Sequence, residues 1–174
     1  AARYVEAFFG TDFVRELRGI SADTIRLRIN SPGGDLLEAV AIYNALREHP
    51  ARVEVQIDAL AASAASLIAL AGDQIEMAAN ALFMVHDPWG VTVGNAADHR
   101  ETAELLDKVS GATLIPAYTA RTGQTRDQVV AWMAAESWFT AEEAEEAGFI
   151  DAIVDATPVA AHFDPDRFQY RNAP

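Results

Sequence analysis

An α/β domain built from successive strand-helix-strand units is the fold class this sequence predicts, and three observations carry the expectation. The stretches TIRLRIN (Thr24 to Asn30) and VEVQID (from Val53) alternate apolar and polar residues, with β-branched side chains frequent at the apolar positions, as half-buried strands do. Between them, LLEAVAIYNALREH places Leu36, Val40, Ile42, Tyr43 and Leu46 largely on one helical face. A second run of the same kind follows, an alanine-rich helical stretch and then the short apolar segments of QIEMAANALFMV. With 51% apolar and 22% charged residues in 174, the chain has the composition of one folded domain with its own core.

Each element has a local reason. The first strand stops at NSPGG, where Pro32 cannot continue a ladder and Gly33 and Gly34 open backbone angles closed to other residues. Asp35 opens the helix that follows. The return strand from Val53 completes a βαβ crossover. A buried helix is expected from about Ser63 to Ala71, closed by Gly72, because alanine favours it and glycine ends it. Two short strands then flank an Ala-Asn turn and end in a His-Asp-Pro break. From about Ala96 to Ala120 the pattern is helical, with Gly111 and Pro116 predicting a kink or irregular turn. Thr125 is placed to cap RDQVVAWMAAE, and Thr140 forms a capping box with Glu143 ahead of Gly148. FIDAIVDA reads as a final strand. The domain is therefore expected over 1–155, with 156–174 an extended or loosely docked tail.

Charge and composition exclude several functions. A net charge of −13 opposes nucleic acid and anionic membrane surfaces as partners. The absence of cysteine removes disulfides, thiolate catalysis and cysteine metal sites. No window approaches the ~20 apolar residues needed to span a bilayer. The opening AARYVEAFFG is too weak for a secretory signal, so a soluble cytoplasmic chain is expected. Lys108 is the only lysine.

Within ALAASAASLIALAG two serines stand three apart among alanines and leucines. Ser63 falls where the helix begins, close to unpaired amides and the positive dipole end, and the small neighbours Ala61, Ala62, Ala64 and Ala65 leave room for a substrate backbone. A plain N-cap is the competing reading of Ser63, as a core hydroxyl bonding back to a carbonyl is of Ser66. Of the four histidines, His49 precedes a proline, His99 lies in an acidic helix and His162 in the tail. His86 alone ends a buried strand, where a base is held rigidly.

Four segments in order, INSPGGDLLEAVAIYNAL, ALAASAASLIALAGD, ALFMVHDPWG and ESWFTAEEAEEAGFID, resemble segments of the ClpP family of serine peptidases, over about Thr24 to Val154. In that family the nucleophile lies in a Gly-x-Ala-x-Ser stretch nine residues before a glycine, and the base is a His followed by a polar residue and Pro. Ser63, with Gly72 nine residues on, and His86 in HDP match those places, and Ser66 does not fit the spacing. The chain departs from the pattern twice. Ala59 replaces the glycine four residues before the serine, and Glu136 stands where the family has an aspartate two residues before an aromatic, here Trp138. Glutamate serves as the acid in some Ser-His-acid triads. Asp87 and Asp151 are the substitutes should Glu136 not serve.

The resemblance implies a crotonase-like (ClpP-like) spiral of βαβ units with a long assembly helix. It implies a catalytic Ser63, His86 and Glu136, an oxyanion hole from the backbone N–H groups of Gly34 and Ala64, and substrate contacts at Gly33, Gly34 and Asp35, with GGDLL available to pair with substrate as an added strand. No metal or cofactor is implied. Protein or peptide substrates and a homo-oligomeric ring, single or stacked, are, and Leu105, Leu106, Val109, Leu114, Ile115 and Tyr118 offer apolar surface for subunit contact. AASAAS together with ESWFTAEEA is similar to the phage head maturation (prohead) protease branch, which implies capsid or scaffold substrates; an ATP-dependent unfoldase partner is the other possibility. A Ser-Lys peptidase, an acyl-CoA enzyme of the crotonase fold and a catalytically inactive assembly subunit are the competing readings.

Overall fold

A computed structural model describes residues 10–156 together with Asn172; the expected tail, His162 included, otherwise lies outside the described residues. Among the described residues six strands form one curled sheet. The strands are β1 (Thr24–Ser31), β2 (Arg52–Ala62), β3 (Gln74–Ala78), β4 (Leu82–Val85), β5 (Ser137–Phe139) and β6 (Ala152–Val154). The helices are α1 (Gly10–Arg18), α2 (Leu36–Glu48), α3 (Ala64–Ala69), α4 (Ala96–Val109), α5 (Ile115–Thr122), α6 (Arg126–Ala134) and α7 (Ala141–Ala147). Helix α1 and strand β5 have no counterpart in the sequence reading.

The central strand is β2, with β1 parallel on one side. On its other side β3 pairs with its first half, Glu54↔Gln74 to Ile57↔Met77, and β4 with its last three residues, Leu60↔Leu82 to Ala62↔Met84. A register irregularity between β1 and β2 at Ile29/Ser31, where Ile29 faces Ile57 and Ser31 faces Ala61, coincides with this change of partner. The extra residues on β2 bend the strand, as bulges do, and the sheet curls there. Alternation sorts the faces: Ile25, Ile29, Val53, Val55, Ile57, Ile75 and Met77 enter the core. Arg26 pairs with Glu54, and Arg28 grips Asp58 with two bonds of 2.7 and 2.9 Å, on the opposite face.

The caps form as expected. Asp35 accepts from the Glu38 N–H at 2.9 Å, Thr125 accepts from Gln128 N–H, and Thr140 and Glu143 close a capping box. The irregularity foreseen at Gly111 and Pro116 is a π-helical turn, Ser110–Leu114, that joins α4 to α5 without a break in the helix. Helix α3 is shorter than expected. Phe83 of β4, Tyr118 of α5, Trp132 of α6, Phe139 of β5 and Phe149 form one aromatic cluster, with Phe83 stacked on Phe149 at 4.7 Å. That cluster ties α5, α6 and β5 to β4, the strand that His86 follows. Among the described residues no helix is long and apolar enough to cross a membrane.

Candidate active site

The site assembles around the carboxyl end of β4. On one side β2 runs parallel to it and ends at Ala62, and the Ser63 N–H continues the pairing by donating to Met84 O at 3.0 Å. On the other side β5 runs antiparallel in the register Phe83↔Phe139, Met84↔Trp138, Val85↔Ser137. One further step of that register sets Glu136 against His86. The ends of two neighbouring strands therefore bring Ser63 and Glu136 to the two sides of the chain at His86, near enough for the Glu136 charge to act on the imidazole.

The serine and histidine are in direct contact: Ser63 Oγ lies 2.7 Å from His86 Nε2. Ser63 does not cap α3. It makes no side-chain cap bond, and its backbone sits at φ 55°, ψ −127°, which for a residue with a Cβ costs ~1–3 kcal/mol. A sharp, strained strand-to-helix turn of this kind frees a hydroxyl from its own backbone and presents it above the sheet. Ser66 is the buried hydroxyl bonded back to a carbonyl, donating to Ser63 O at 2.5 Å.

Among the described residues the positive-φ positions other than glycine are Ser63 and Glu136, the latter at 49°. Glu136 follows α6 at the place where a helix commonly ends on a left-handed glycine. Its Oε1 accepts the Asn172 N–H at 2.7 Å and the Trp138 indole N–H at 3.4 Å, and the Asn172 side chain donates to Ala135 O at 2.9 Å. Burial holds the His86 imidazole below its ordinary value, while the carboxylates of Glu136 and then Asp87 push back towards the charged form. Asp87 is itself raised by partial desolvation, against the pull of His86 and with Asp107 of α4 adding to it. Asp151 is committed elsewhere, to Arg121 at 2.7 Å and the Ile75 N–H at 2.7 Å. His49 bonds Ile20 O and the Ala51 N–H, and His99 lies exposed on α4.

Gly33 explains the double glycine. At φ +100° a Cβ there would come within 2.7 Å of both Ala62 O and Ser63 Cβ, and 3.0 Å of Ala64 N, so the loop can reach the serine only without a side chain. Gly34 has open space about it and borders, with Asp35, Ser63, Ala64 and His86, a cleft of about 500 Å³. The rest of that cleft is mostly apolar, from Leu36, Leu37, Pro88 and Trp89 on one side to Leu105, Leu106 and Val109 of α4 on another, with Leu114 and Tyr118 also bordering it. Leu36 and Leu37 are helical, so added-strand pairing at GGDLL is confined to the residues before them, a correction to the expectation from the sequence. A second correction concerns the apolar set of the long helix: Leu114, Ile115 and Tyr118 are buried in the chain's own core, whereas Leu105 is 58% exposed. Lys108 is exposed on α4 and does not line the cleft. Among the described residues no cluster of three or more His, Cys, Asp or Glu could hold a metal ion.

Residues 16–157 match the Clp protease family. The ATP-dependent Clp protease proteolytic subunit 2 of Thermobifida fusca is 35% identical over 151 residues, which are 83% of this chain and 74% of that protein. Proteolytic subunit 1 of the same protease from Leifsonia xyli is 34% identical over 139 residues, 79% of this chain and 70% of that one. The solved structure of a ClpP1 mutant from Listeria monocytogenes superposes with a TM-score of 0.71 at 23% identity over 84% of each chain, a likeness of fold. The curled sheet is thus the ClpP-like fold, and the chain belongs to the Clp protease family as a serine peptidase.

Proposed function

We propose that the chain is an endopeptidase in which Ser63 is the nucleophile, His86 the general base and Glu136 the acid that orients and charge-stabilises the imidazole. The observation that carries this reading is the 2.7 Å contact between Ser63 Oγ and His86 Nε2 on a serine held in a strained turn. His86, kept neutral by burial, takes the hydroxyl proton as Oγ attacks the peptide carbonyl. The backbone N–H groups of Gly34 and Ala64 receive the oxyanion. Protonated His86 then gives its proton to the leaving amine, and water, activated in turn by His86, hydrolyses the acyl-enzyme. The substrate backbone runs along Gly33, Gly34 and Asp35, and the apolar cleft takes an apolar side chain beside the scissile bond.

A fluorophosphonate probe followed by peptide mass mapping tests the assignment. Attachment at Ser63, lost in His86→Ala, is the expected result; attachment at Ser66, or no attachment to the assembled protein, overturns it.

The assembly proposed is a homo-oligomeric ring, single or stacked, in the cytoplasm of a bacterial or phage-infected cell, and the substrates are capsid or scaffold proteins cut during head maturation. The AASAAS and ESWFTAEEA segments support that substrate class. The names of the relatives, ATP-dependent proteolytic subunits, favour a second reading in which an ATP-driven unfoldase feeds the chain. Discrete cuts in co-expressed capsid or scaffold protein, without ATP, decide for the first; ATP-dependent breakdown to short peptides on adding an unfoldase decides for the second.

A further inference from the structure

The second serine is built into the floor beneath the first. Ser66 is 0% exposed, and its Oγ lies 2.5 Å from Ser63 O and 2.7 Å from the Tyr118 hydroxyl oxygen. The direction of this chain of bonds follows from counting protons. A carbonyl only accepts, so the single Ser66 hydroxyl proton goes to Ser63 O, and Tyr118 must donate to Ser66. Tyr118 is 1% exposed, and burial pushes its phenol up to about 12, so it keeps the proton it donates. Ser63 O also receives the Ser66 N–H at 2.9 Å. The carbonyl of the serine in the strained turn is thus held by two donors, one of them backed by a tyrosine 52 residues away.

That carbonyl belongs to the same peptide unit as the Ala64 N–H. A trans peptide is planar, and its C=O and N–H point in opposite directions; there are no cis bonds among the described residues. Anchoring Ser63 O downwards on Ser66 therefore aims the Ala64 N–H the other way, to the side of the cleft that Ala64 borders. A rotation of this one peptide unit would relax the turn and withdraw the donor. We infer that Tyr118 and Ser66 are positioning residues which, through the Ser63 carbonyl, set the direction of the Ala64 N–H that receives the oxyanion. The inference rests on the peptidase reading above.

Two substitutions test it on the full-length protein, Tyr118→Phe, which removes one oxygen and keeps the ring in the aromatic cluster, and Ser66→Ala. Each is expected to lower kcat on a peptide substrate about tenfold, less than the ~10²–10³ that loss of a whole oxyanion donor costs. KM and the acid limb of the pH profile stay with the parent, because Tyr118→Phe keeps the ring that borders the cleft, Ser66 does not line it, and the His86–Glu136 pair is untouched. The fluorophosphonate labelling rate falls with kcat. Since the two groups act in series, the double variant is expected to be no slower than the slower single one. Parental kcat in Tyr118→Phe, a loss confined to KM, a shifted acid limb, or losses that multiply in the double variant would each overturn the inference. If Ser66→Ala does not fold, Tyr118→Phe decides by itself. An active Ser63→Ala protein, by contrast, would remove the peptidase assignment and not this link alone.

Discussion

The turn at Ser63 and the arm from Trp89 through α4 border the same cleft but are held in opposite ways. Around the turn, Ala61, Ala62, Ala64, Ala65 and Ser66 are buried, and the backbone of Ser63 is bonded on both sides, through its N–H to β4 and its carbonyl to Ser66. In the arm, not one of the 14 residues of α4 is buried, and Val91 and Val93 before it are 87% and 94% exposed. Packing maintains an unfavourable φ in the first region, because a dense surround leaves no cheaper arrangement. The second keeps apolar side chains such as Val91 and Val93 exposed, with none of the described residues covering them, which is what a contact surface looks like before its partner arrives. Chemistry is accordingly proposed at the turn and subunit contact at the arm.

The largest effect expected is at the turn. Ser63→Ala should remove peptidase activity by a factor on the order of 10⁵–10⁶, the scale of nucleophile loss in serine proteases. Its thermal stability should stay near the parent's, because alanine inherits the same φ. Ser63→Gly separates the two roles further: glycine accepts φ 55° without penalty, so this inactive variant should melt higher than Ser63→Ala. Equal melting temperatures would mean that the turn is not strained.

Next comes the acid. Glu136→Gln should lower kcat by up to about 10⁴-fold, the loss seen when a triad carboxylate becomes an amide. The sign of its pH effect is fixed by the causes acting on His86. Burial lowers the imidazole and the Glu136 carboxylate raises it, so removing that charge lets His86 fall further. The acid limb of kcat/KM should move to lower pH while the plateau drops. A limb that stays in place, with kcat retained, would transfer the role to Asp87, the other carboxylate acting on His86.

Smaller again is Gly33→Ala. The added Cβ meets Ala62 O and Ser63 Cβ at 2.7 Å, and the backbone is at φ +100°. The variant should lose ~1–3 kcal/mol of stability, with kcat falling more than tenfold as the loop moves off Ser63, the kind of loss a small misplacement brings. Gly34→Ala, at a position with open space around it, is the control expected to fold as the parent does.

What could be read in the sequence divides along the same line as these two regions. The strand-turn-helix at SPGGD, the caps at Thr125 and Thr140 and the buried alanine helix follow from neighbours a few residues apart, and all are present. Strand β5 escaped, because three residues, Ser137 to Phe139, carry too little periodicity and exist as a strand only through pairing with β4. The left-handed backbone of Glu136 was hidden for a similar reason: α6 ends without the glycine that would announce it. Helical spacing alone does not separate the exposed Leu105 from Tyr118, which is buried against Ser66. The serine and histidine were legible one by one; the 2.7 Å between them depends on β2 and β4 lying side by side.

The last prediction probes the arm and should touch the chemistry least. Leu105 and Leu106 line the cleft as well as the arm, so a charge at either would confuse substrate binding with assembly. Val93 is 94% exposed and does not line the cleft. Within one subunit Val93→Glu has nothing to disrupt, and surface changes of this kind usually stay within about ±0.5 kcal/mol. If the arm joins subunits, the same change buries a carboxylate among apolar side chains of the neighbour and adds to an already acidic surface. The expected outcome is an unchanged subunit melting profile and fluorophosphonate labelling at Ser63, with a mass by light scattering that falls from a multiple of six or seven subunits towards single chains on dilution. A parent that is already a monomer across the micromolar range, or a Val93→Glu protein that assembles as tightly as the parent, would place the contact elsewhere and return these valines to the ordinary surface.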